Sequence, residues 1–108
     1  MSIQLARPIE DYFAISNGAD NVQVSDCFAE HAVVHDEGGV YEGIRAIEDW
    51  VADTRAKYQF HAEPVSHEAQ SGGEKVTAEV SGNFPGSPIH ISYVFELSDE
   101  RIRRLTIS

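Results

Sequence analysis

The sequence has 108 residues, 42% hydrophobic and 24% charged, a mix that suits one packed core and excludes a largely disordered chain. Eighteen acidic against eight basic residues give a formal net charge of -10, and the bases cluster only at Arg101, Arg103 and Arg104. A field of that sign repels polyanions, which excludes nucleic acid and anionic membrane surfaces as partners.

No apolar run approaches the roughly 18–20 residues that span a bilayer. Residues 1–8 have neither the basic region nor the apolar core of a signal peptide, and Cys27, the only cysteine, cannot form an intrachain disulfide. A cytoplasmic protein is expected. Cys27 precedes Phe28 in an apolar stretch and reads as a buried structural thiol without a chemical role.

Pro8 suits a first helical turn, and Ile9, Tyr12, Phe13 and Ser16 follow at helical spacing until Asn17-Gly18 stops the run. That spacing turns Tyr12 inward. A short second helix is predicted over residues 22–30, with Val24 and Phe28 on its buried side. Residues 32–36 read as a strand, and Glu37-Gly38-Gly39 as a turn returning the chain through Val40 and Tyr41. Val34 and Asp36 then share one strand face. Gly43 precedes the most regular helix, in which Ile44, Ile47, Val51, Thr54 and Tyr58 recur at intervals of three and four, with Trp50 beside the stripe.

Four strands are predicted after this helix, over 59–69, 74–84, 88–98 and 101–108. In the third, Ile89, Ile91, Tyr93, Phe95 and Leu97 point one way and His90, Ser92, Val94 and Glu96 the other. In the last, Ile102, Leu105 and Ile107 break strict alternation unless a bulge falls near Arg103-Arg104. With no repeat and no linker, residues 1–108 are expected to form one domain. Helices followed by antiparallel strands make an α+β layout, in which the sheet curls over the helices and can leave a cavity. Its inward polar groups would be Tyr12, Asp36, Trp50 and Tyr93.

Tyr12-Phe13-Ala14, Asn17-Gly18-Ala19-Asp20, the run from Phe28-Ala29-Glu30 through Val34-His35-Asp36, and Gly43-Ile44-Arg45-Ala46-Ile47 resemble the nuclear transport factor 2-like superfamily. Ketosteroid isomerases and the SnoaL-like polyketide cyclases belong to it. The resemblance implies three helices packed in the concave face of a curved, mostly antiparallel sheet, a cone-shaped barrel of cystatin-like form. It implies a pocket for a small apolar carbonyl-type ligand and a homodimer through the outer sheet face, which carries His90, Ser92, Val94 and Glu96. By comparison with the ketosteroid isomerases it implies Asp36 as general base and Tyr12 as oxyanion donor. Tyr93 stands where those enzymes have a protonated aspartate, and a tyrosine can donate the same hydrogen bond. The ligand wall is expected to come from Phe28, Val34, Trp50, Val80, Ile91 and Phe95.

Each of these residues has a structural reading as well: Tyr12, Trp50 and Tyr93 as packing, Asp36 as a turn acid. Two functions therefore stand side by side. One is a cofactor-independent isomerase, cyclase or dehydratase; the other is a non-catalytic binding or dimerisation module. Burial should raise the Asp36 pKa unless the Tyr12 hydroxyl donates to it. His31 and His35 lie four apart but on a strand, so no metal site is expected, while His61 and His67 remain open as acid or base. Gly38-Gly39 and Gly72-Gly73 each sit between strands rather than before a helix, so no nucleotide cofactor is expected.

Overall fold

The computed structural model describes residues 4–108; the first three residues of the opening segment lie outside the described residues. Helix α1 (Arg7–Ser16) carries Pro8 in its first turn, where a missing N–H costs nothing, and buries Ile9, Tyr12, Phe13 and Ile15. Asn17 ends it and does more than stop a helix. Its side-chain amide donates to the Ala62 carbonyl at 2.9 Å and accepts from the Ala62 N–H at 2.7 Å, clipping the end of α1 to the first strand after the long helix.

Helix α2 (Val24–Cys27) is a single turn, closed at its start by the Asp26 carboxylate accepting the Gln23 N–H at 2.8 Å. The longer helix predicted over residues 22–30 is corrected here. Strand β1 (Phe28–Asp36) begins at Phe28, which pairs in parallel with Ile102. Long-range strand pairing overrides the helical spacing of Val24 and Phe28. Strand β2 (Gly39–Glu42) returns antiparallel to β1 across a two-residue turn in which Glu37 and Gly38 have φ of 52° and 79°. Both central residues are left-handed, the geometry that matches strand twist; glycine adopts it freely, glutamate only with strain of about 1–2 kcal/mol.

Helix α3 (Ile44–Tyr58) buries Ile47 and Trp50, so Trp50 is at the centre of the inward face rather than beside it. Strands β3 (His61–Gln70), β4 (Gly73–Ser81), β5 (Ile89–Ser98) and β6 (Arg101–Ile107) form a continuous antiparallel run. The six-stranded sheet has the order β2-β1-β6-β5-β4-β3, antiparallel throughout except for β1 against β6. It curls around the helices without closing, because β2 and β3 remain edges; the cone is open-sided. The bulge expected in the last strand is present: Glu96 pairs with Arg104 and Leu97 with Ile102, so Arg103 is extra and Ile102 and Leu105 both turn inward. Gly73 is required where β4 meets β5, since a Cβ there would fall 1.8 Å from the Phe95 carbonyl oxygen.

Candidate functional site

The hydrophobic core fills one end of the concave face with Phe28, Phe95, Ile102 and Leu105, all essentially inaccessible to water. The other end holds a cavity of about 360 Å³. Its deep wall is formed by Tyr12 from α1, Trp50 from α3, Val80 from β4 and Tyr93 from β5, all buried, with Ile91 and Ile107 beside them. The mouth is lined by Glu37, Tyr58, Phe60, Phe84, Pro85 and Ile89. The Asn83 N–H donates to the Tyr58 carbonyl at 3.0 Å, which ties the loop carrying Phe84 and Pro85 to the end of α3. Phe84 also meets the Tyr58 ring edge-on, with centroids 6.1 Å apart.

Asp36 reaches this cavity from the last position of β1, on the same face as Val34. The Trp50 indole N–H donates to Asp36 Oδ2 at 3.1 Å, and Oδ1 makes no hydrogen bond to the described residues. Burial raises the Asp36 pKa above its ordinary value, the Trp50 hydrogen bond opposes this, and the charge of Glu37 adds to it. The sequence allows Tyr12 to donate to Asp36. Trp50 does so instead, held by α3, whose Thr54 hydroxyl donates to the Trp50 carbonyl at 2.7 Å.

Tyr12 is the hub of an aromatic cluster, with its ring centroid 6.4 Å from Trp50, 6.1 Å from Tyr93, 6.0 Å from Phe28 and 5.6 Å from Phe95. Burial first, then the neighbouring Tyr93 and Asp36, push its hydroxyl well above the usual phenol range, while a hydrogen bond with Ser16 acts the other way. The Tyr93 hydroxyl is raised by burial and then by Asp36. Both phenols are therefore neutral donors at any ordinary pH.

Of the wall residues named from sequence, Trp50, Val80 and Ile91 line the cavity with Tyr12, Asp36 and Tyr93. Phe28, Val34 and Phe95 do not; they are buried in the core. The Tyr12 ring packs against Phe28 and Phe95, so inward-facing strand positions end up covered by a helix side chain rather than facing open space. His61 pairs with Glu63 at 3.7 Å and His67 with Glu74, and neither histidine lines the cavity. Glu37, Thr54, Tyr58, Phe60, Phe84, Pro85, Ile89 and Ile107 also line the cavity and were not named as wall residues from sequence; the helical spacing of Thr54 and Tyr58 and the strand alternation of Ile89 with Ile91 could have marked three of them. Cys27 is buried, with its pKa pushed up to about 12 mainly by desolvation, as suits an inert thiol.

Residues 9–105 match the SnoaL-like domain family. The chain belongs to that family. This SnoaL-like domain superposes on a Sinorhizobium meliloti protein provisionally described as a polyketide cyclase, with a TM-score of 0.90, 36% identity, and coverage of 96% of this chain and 95% of that one. An Agrobacterium tumefaciens protein, provisionally described as an isomerase of the SnoaL-like family, gives a TM-score of 0.77 at 18% identity, covering 93% and 92%. A Catenulispora acidiphila protein of ketosteroid isomerase-like fold, in complex with trimethylamine, gives 0.81 at 17% identity, covering 97% and 86%. The latter two share the fold alone. No curated protein matches the sequence. Among the described residues, no helix is long and apolar enough to cross a membrane.

Proposed function

We propose that this SnoaL-like domain binds a small, apolar, carbonyl-bearing molecule in its cavity and moves a proton on it without a cofactor. Asp36 is the base and Tyr12 and Tyr93 are the donors to the carbonyl oxygen. One observation carries the proposal: a half-buried carboxylate stands in an apolar wall with one oxygen fixed by Trp50 and the other without a hydrogen bond among the described residues. Asp36 Oδ1 would take the proton from the carbon beside the carbonyl. The electron pair of that C–H bond then forms the enolate, whose oxygen accepts the phenol hydrogen bonds. Return of the proton to another atom completes an isomerisation, and the same first step opens ring closure or loss of water. Trp50 fixes the carboxylate, and its desolvated setting favours a base that holds a proton more tightly than a solvated aspartate would.

The test needs no natural substrate. The carbon-bound protons next to the ketone of 2-decalone exchange slowly with D₂O, and the wild-type protein should accelerate that exchange, read by NMR. Asp36→Asn keeps the shape and removes the base, so the accelerated rate should fall by about 10²–10⁴. Exchange no faster with wild type than in buffer would overturn the catalytic proposal.

The trimethylamine complex of the Catenulispora neighbour supports a second reading, binding without turnover, because that ligand has no carbon acid beside a carbonyl. The proposal extends to residues 1–108 acting as one cytoplasmic domain that pairs as a homodimer. The outer face of β5, with His90, Ser92, Val94 and Glu96, is mixed in polarity, as suits an isologous contact. Sedimentation should give twice the chain mass at micromolar concentration; a monomer would refute the pairing.

A further inference from the structure

Among the described residues two acids, Asp36 and Glu37, line the cavity, and no basic side chain does. Arg55 donates to the backbone carbonyls of Ser16 and Phe60, while the Lys57 ammonium rests 5.0 Å from the Tyr58 ring centroid, outside the lining but close enough to feel the Glu37 charge. Glu37 occupies a left-handed turn position at φ 52°, where glycine or asparagine would be easier, and its carboxylate accepts the Tyr58 hydroxyl at 3.3 Å. That hydrogen bond joins the β1–β2 turn to the end of α3 across the mouth of the cavity. The charged groups of the lining are thus both acidic, with Lys57 outside it, and the interior beyond Glu37 is apolar with a second carboxylate.

We infer that Glu37 makes the cavity charge-selective, admitting neutral and cationic ligands and rejecting carboxylates, as the specificity-determining residue at its rim. The inference rests on the cavity being a ligand site and not on Asp36 being a catalyst. An anion entering passes Glu37, leaves Lys57 behind at the mouth, and then loses its water beside Asp36 with no basic side chain in the lining to meet it, while low-dielectric walls concentrate the unfavourable field. An ammonium group meets two carboxylates and the faces of Tyr12, Trp50 and Tyr93. A ketone carries no net charge to be repelled and finds the phenol donors.

A matched series settles it: one decalin body carrying a ketone, an ammonium or a carboxylate. Trp50, the only tryptophan, sits in the cavity wall and reports occupancy by its fluorescence, with calorimetry as the second measurement. The carboxylate should bind about tenfold or more weakly than the ketone, and the ammonium at least as well as the ketone. Glu37→Gln should improve carboxylate binding by about three- to tenfold and leave the ketone unchanged. Glu37→Asp should retain the discrimination, which separates charge from shape. Carboxylate binding equal to the ketone, or an unaltered ratio in Glu37→Gln, would overturn the selection while the cavity remained a binding site. If none of the three compounds binds by either measurement, the selection and the binding reading fall together. Exchange chemistry at 2-decalone can fail without touching either.

Discussion

The two halves of β5 follow one alternating pattern and meet different surroundings. Phe95 faces a filled core with Phe28, Ile102 and Leu105, whereas Ile89, Ile91 and Tyr93 face the cavity. The strand alone does not decide this. At the filled end β1 and the bulged β6 bring large side chains inward. At the open end α1 has already stopped at Ser16, and α3 presents Thr54, a small residue, between Trp50 and Tyr58. Alternation gives the direction of a side chain; the helices opposite decide whether it meets a partner or empty space.

The sharpest way to break the comparison is to truncate one residue at each end. Phe95→Ala removes a ring with contacts on every side and should cost about 3–5 kcal/mol, lowering Tm by more than about 12 °C. Ile91→Ala at the cavity wall should cost about 1–2 kcal/mol, because part of its surface already borders open space. Thermal melts of the two variants check the contrast, and equal losses would mean that the cavity is filled in solution.

A smaller effect separates chemistry from stability at Asp36. Its folded pKa is raised above the unfolded value, so the fold favours the protonated acid. The resulting stability is fully present below the unfolded pKa and is lost as pH rises through the folded pKa. At neutral pH the charged form is therefore a burden, and Asp36→Asn should melt a few degrees higher than wild type. Below about pH 4 that advantage should vanish. Melting curves from acid to neutral pH read the difference directly, and a variant that melts lower at neutral pH would show that Asp36 is held by stabilising partners instead. The smallest expected change concerns the mouth. Glu37→Gly relieves the left-handed strain and gives up one exposed hydrogen bond, so Tm should rise by about 2–4 °C while the charge selection is lost. A lower Tm would mean that the Tyr58 contact outweighs the turn.

How much of this was legible depended on the range of the interaction. Tyr12 on the inner face of α1, Asp36 in phase with Val34, the inward row on β5 and the bulge near Arg103 all follow from local period and could be read in the sequence. The early start of β1 could not, because Phe28 becomes a strand residue only by pairing with Ile102, 74 positions away. Likewise the Trp50–Asp36 and Tyr58–Glu37 hydrogen bonds join different elements at spacings of 14 and 21 residues, which no helical or strand period marks. The sequence places Phe28 on the buried side of a helix and Phe95 on the inward row of β5, and neither placement reveals the Tyr12 ring, from a third element, that covers both.

The clip between Asn17 and Ala62 has a chemical consequence. Asn-Gly is the dipeptide most prone to deamidation in flexible chains, since the glycine nitrogen can swing round to attack the asparagine side chain and expel ammonia. Here the amide of Asn17 is occupied at both ends by Ala62, and the Gly18 N–H donates to the Ile15 carbonyl at 2.9 Å, so neither reactant is free to move. Ageing at this bond then requires the end of α1 to lift from β3. Each event would be recorded irreversibly, because the acid left behind lacks the N–H that Ala62 accepts and adds a negative charge at a backbone carbonyl. The slow accumulation of deamidated protein is in this way a clock for the opening of α1.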